Sequence, residues 1–137
     1  MENAEMKSRL KAVQWASVEM IAIGELIARL ETIYRRCRRL GAREEDARPL
    51  DLALSALRKE IETLQMQRES LEQGRRKMKE RICAIPDRSE RYVVYGRCIE
   101  NRDWKDISGE LQVSRTYARR LLERGIRSLC SQWQENS

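Results

Sequence analysis

Over two long stretches of this chain, apolar residues recur at alternating steps of three and four, a spacing that demands helices packed on helices. The first stretch runs Val13, Ala16, Met20, Ile23, Ile27, Leu30, Tyr34, Cys37. It forms one stripe along a helix and needs a second helix to cover it. The second runs Leu50, Leu54, Leu57, Ile61, Leu64, Arg68, Leu71, Arg75, Met78, Ile82, Ile85. Its two arginines can lay their stems along the seam edge while the charged heads stay in water. The first helix is expected to stop near Gly41, with Arg35, Arg36, Arg38 and Arg39 where the helix dipole favours cations. The segment from Gly41 to Pro49, GAREEDARP, then reads as the turn of an antiparallel hairpin whose second helix is on the order of 50 Å long. The Arg35 to Arg39 cluster falls at the tip of that hairpin, and helix-end electrostatics account for it. Two helices that bury one stripe each are marginal alone. The hairpin is therefore expected to form a homodimer or to pack on the rest of the chain.

Composition agrees with an all-α fold. Of 137 residues none is Phe, aromatics make up 5%, and charged residues make up 36%. Such a chain has too little aromatic bulk for a large core and too few turn residues for a β-rich one. Pro86 ends the second stretch, which divides the chain into a helical hairpin over 1–85 and a C-terminal domain over 86–137. In that domain Asp87, with Glu90 three residues on, reads as the start of a helix. Asn101-Arg102-Asp103 reads as a turn in which Asn101 tolerates positive φ. Asp103 then caps a helix from Trp104 to Leu111, Gln112-Val113 turns, and Ser114 caps a last helix from Arg115 to about Trp133. The order is helix, turn, helix.

Several functions are disfavoured. The chain has no His, so it lacks the commonest general base near neutral pH and every Ser-His or Cys-His arrangement. It also has no Gly-rich phosphate loop. No catalytic residue and no cofactor is expected. Cys37, Cys83, Cys98 and Cys130 never form a C-x-x-C pair, so they read as reduced thiols packed as small hydrophobes, with no metal site. No apolar run is long enough to span a bilayer, and the polar start MENAEMKSRLK is unlike a signal peptide. A cytoplasmic protein without a membrane or small-molecule partner is expected. Lys and Arg outnumber Asp and Glu by 28 to 22, for a net charge of +6 and a pI near 9.4. That balance suits a polyanion.

The charge is concentrated in one place. From Val113 to Cys130 there are five arginines and a single acid, Glu123. Within DWKDISGELQVSRTYARRLLERGIRSL, Trp104, Ile107, Leu111, Val113, Leu121 and Leu122 supply an apolar wedge, and Ser108 and Ala118 are small enough for two helices to cross closely. Trp104-Lys105-Asp106-Ile107-Ser108 followed by Val113-Ser114-Arg115 resembles region 4 of the sigma-70 factors. In this chain Gln112 stands where that pattern carries Gly, and Asn101 where Gly is common. From about Val18 to Leu129 the chain is similar to small phage-encoded late-gene transcriptional activators. The resemblance implies transcriptional activation on phage or prophage DNA, with contact to RNA polymerase.

Double-stranded DNA is accordingly the expected partner. Ser114, Arg115, Thr116, Tyr117, Arg119, Arg120 and Arg124 are the candidate DNA-binding residues, because arginine pairs with guanine edges and Thr or Tyr meets thymine methyls or phosphates. Arg75, Arg76, Lys77, Lys79 and Arg81 are candidates for phosphate contact, although such a run is also what a solvated helix face looks like. Tyr92, Tyr95 and Trp104 read as core, while Trp15 and Trp133 carry no assignment. Two other functions share this pattern: a small terminase-like phage packaging protein, and a coiled-coil interaction protein that does not bind DNA.

Overall fold

The structure, a computed structural model, describes residues 1–40 and 47–133. Among the described residues the chain forms five helices: α1 (Asn3–Arg39), α2 (Ala47–Cys83), α3 (Arg88–Cys98), α4 (Trp104–Leu111) and α5 (Arg115–Gln132). The all-α expectation holds. None of these helices is long and apolar enough to cross a membrane. The turn segment 41–46 lies outside the described residues. Ala47, Arg48 and Pro49, expected in that turn, are already helical. Proline is tolerated there because a first-turn residue has no intrahelical acceptor for the N–H it lacks.

The chain divides into two compact units, Met1–Ala16 with Gln73–Ser137, and Ser17–Glu72. The packing boundary is therefore not the one expected at Pro86. Helix α1 starts ten residues before Val13, and its Met6 and Leu10 are buried with Met78 and Ile82 of α2, with Ile85 just beyond that helix, and with Val94, Cys98, Ile99, Ile126 and Leu129. The two ends of the long helices thus complete the core of the C-terminal unit, which three short helices could not fill alone.

In the unit Ser17–Glu72 the two helices run antiparallel. The Arg58 guanidinium donates to the Tyr34 hydroxyl and lies over its ring at 5.6 Å. A β-carbon on Gly24, farther back along α1, would meet Arg68, farther on along α2, at 3.4 Å. Among the described residues of this unit only Ile27 and Leu64 are buried, and the other residues of the expected seam are half-buried, apart from Arg68, which is exposed.

In the other unit, Val93 of α3, Ile107 of α4 and Leu121 of α5 form a second buried cluster, flanked by Tyr92, Trp104, Leu111 and Leu122. Each short helix starts on the cap expected of it. Asp87, Asp103 and Ser114 accept from the backbone N–H of Glu90, Asp106 and Tyr117 at 2.9, 2.8 and 3.1 Å, and so satisfy donors that a helix start otherwise leaves unpaired. Asn101 and Gln112 take positive φ, 55° and 58°. Asn suits that region and Gln does not. The Gln112 side chain is exposed, so Gln112→Gly should raise stability by about 1 kcal/mol, measured by chemical denaturation, because glycine enters the left-handed region without the β-carbon clash.

Candidate nucleic-acid interface

Helix α5 packs one side inward and leaves the other to solvent. Ala118, Leu121, Gly125, Ile126 and Leu129 are buried, while Arg115, Thr116, Tyr117, Arg119, Arg120, Arg124 and Arg127 are all exposed. At 100° per residue, Thr116, Arg120 and Arg127 lie along the middle of the open side. Arg115 and Arg119 flank it on one edge, and Tyr117 and Arg124 on the other. Thr116, Arg119, Arg120, Arg124 and Arg127 line one shallow depression together with Glu123. Ser114, also a candidate, uses its hydroxyl as the helix cap, so it fixes where the exposed face begins.

Two residues outside the candidate set also contribute to this face. Arg127 lies seven residues beyond Arg120 and continues its row. Lys7, from the start of α1, forms an ion pair with Glu123 at 3.1 Å, so the only acid among the helix's arginines is already matched. The exposed side of α5 is left with a net positive field. A neighbour at this exposure adds little stability, but it removes a local repulsion for an approaching polyanion. Alongside, the Gln14 amide of α1 donates to the Arg97 carbonyl at 2.7 Å, and the Asn101 amide donates to the Gln14 carbonyl at 3.4 Å. These bonds tie α1 to the end of α3 and to the turn before α4.

Trp104, the first residue of α4, lies between two cations, with the Arg97 guanidinium 5.1 Å and the Arg119 guanidinium 5.7 Å from its ring. Cation–π attraction holds Arg119 against the edge of the exposed basic face instead of leaving it to sweep solvent. Arg102 is engaged elsewhere. It forks onto Glu110 and donates to the Tyr92 hydroxyl at 2.7 Å, a network that joins α3, the 101–103 turn and α4. Tyr92, Tyr95 and Trp104 pack against the buried clusters, as expected of core aromatics.

The α2 basic run is placed differently from α5. Arg76 and Lys77 are exposed, and Arg75, Lys79 and Arg81 are half-buried. Lys77 and Arg81 lie over the Trp133 ring at 5.6 and 5.2 Å, with Arg9 of α1 at 5.4 Å. Trp133 is the C-cap of α5, about 28 Å along the helix from Ser114 at 1.5 Å per residue. Lys77 and Arg81 therefore gather at the end of α5 remote from its capped start. This also gives Trp133 its place, packed on the main core, whereas Trp15 is exposed.

The cysteines stay apart in character as well as in sequence. Cys98 is buried, Cys37 and Cys130 are half-buried, and Cys83 is exposed. Burial pushes the Cys98 thiol up to about 11 against the opposing effect of Arg97, so it is protonated at neutral pH and packs as a small hydrophobe. No protein-family model matches this chain, and neither a curated protein nor a solved structure matches it.

Proposed function

We propose that the chain binds double-stranded DNA through α5 and regulates transcription by recognising a particular site. The observation that carries this reading is the open side of α5, which holds five exposed arginines, has its one acid paired to Lys7, and starts at a fixed cap. An exposed row of arginines on a helix held rigidly from behind matches the width and charge of the major groove. Thr116 and Arg120, in the middle of that side, meet base edges at the groove floor. Arg115 and Arg119 on one edge, and Tyr117 and Arg124 on the other, meet the phosphate walls. On this reading the target is promoter DNA, as the sequence resemblance to phage late-gene activators implies.

Selection of bound duplexes from a random pool, followed by footprinting, tests the reading directly. A preferred sequence with salt-dependent affinity is the expected result; failure to enrich any site would end the claim of specificity. On the selected site, Arg120→Ala should cost about 1–3 kcal/mol and hardly alter binding to random duplex. Arg119→Ala should weaken both alike. Equal losses from both changes on both duplexes would refute the division between floor and wall.

A further inference from the structure

In the unit Ser17–Glu72, α1 is apolar on more sides than α2 covers. From Ser17 to Tyr34 its only charged residues are Glu19, Glu25, Arg29 and Glu31, and Val18, Ile21, Leu26 and Ile33 are 53%, 64%, 41% and 45% exposed. A helix apolar nearly all round is characteristically buried within an assembly. The exposed residues are also ordered. Leu26 and Ile33 fall in a row with Glu19, Ala22 and Arg29 that steps by three and four, which makes a second seam roughly 100° around the helix from the one that meets α2, with Val18 at its border and Ile21 outside it.

The two charged members of this outer seam have opposite signs and stand at equal distances from its centre. If two copies of α1 run antiparallel about a two-fold axis at Gly24, Ala22 lies opposite Leu26 of the partner subunit. In the same register Glu19 lies opposite Arg29 of the partner subunit, and each match occurs twice, as in any isologous contact. A parallel pairing would set Glu19 against Glu19 of the partner subunit and Arg29 against Arg29 of the partner subunit, a repulsion in two layers. Among the described residues neither Glu19 nor Arg29 has an ion-pair partner in its own chain. We infer that the occupant of this face is a second copy of the same chain, joined antiparallel through the outer seam of α1 and held in register by Glu19 and Arg29. This pairing does not rest on DNA binding and is measured without DNA.

The test is the mass of the full chain across a concentration series by sedimentation equilibrium. Wild type should be a dimer; a monomer at about 100 µM, weaker than any stable contact of this kind, would overturn the inference. Glu19→Arg and Arg29→Glu should each raise the dimer dissociation constant about tenfold or more, because each creates two like-charge contacts. The double variant carrying both changes restores two opposite-charge pairs, so it should return to within about threefold of wild type. Both side chains are exposed, and helix content by circular dichroism confirms that the variants fold. Single variants that dimerise as well as wild type, or a double variant no better than the singles, would overturn the antiparallel register.

Discussion

Duplex affinity should fall on the order of a thousandfold, about 4 kcal/mol, when Arg120, Arg124 and Arg127 are all changed to alanine. The three lie on the open side of α5, exposed and without an ion-pair partner among the described residues, so nothing in the core is lost. Alanine is also a better helix former than arginine, which keeps the helix intact. Each arginine that neutralises a phosphate releases counterion on binding, so removing three lowers the slope of log affinity against log salt by about 0.9 for each one that touched the backbone. Titration at several salt concentrations separates this effect from unfolding. A triple variant that binds with unchanged affinity and unchanged salt slope would show that DNA, if bound at all, is bound elsewhere.

The C-terminal helices are legible in the sequence because their signals are local. Asp87, Asp103 and Ser114 each precede a helix by one residue, and a cap needs only its own side chain and the next turn. Asn101 and Gln112 are legible as turn residues for the same reason. The long seams are legible from period alone, but period does not say which helix covers a stripe. Met6 and Leu10 continue the first stripe backward, yet nothing in their spacing indicates that they close the core around Ile126 and Leu129. The arginines of α5 are legible as an exposed basic row. Their individual engagements are not, because the stacking of Arg119 on Trp104 and the pairing of Lys7 with Glu123 join residues distant in sequence. The α2 basic run shows the same limit. Its charges are visible in the sequence, whereas their gathering around Trp133 depends on where α5 ends.

Gly125 is the position at which the smallest change should do the most damage to the C-terminal unit. It lies on the inner side of α5 against α3, and a β-carbon there would stand 2.4 Å from the Val94 Cγ2 and 3.4 Å from the Glu90 carbonyl oxygen. Val94 is fully buried, so its methyl can give way only by pushing on the core around it. Helix propensity alone predicts that Gly125→Ala stabilises α5 by about 1 kcal/mol. Overpacking at a site this close opposes that gain by about 1–3 kcal/mol, so the net effect should be a loss. Gly125→Leu, with three more carbons aimed at the α3 backbone, should cost about 4 kcal/mol or more and abolish cooperative unfolding of the unit. A double-mutant cycle assigns the cause. Val94→Ala removes the methyl in the way, so Gly125→Ala should be tolerated much better beside it, and the coupling should favour the double variant by about 1 kcal/mol or more. Additive losses, or a Gly125→Ala variant more stable than wild type, would mean that α3 and α5 do not approach at this point.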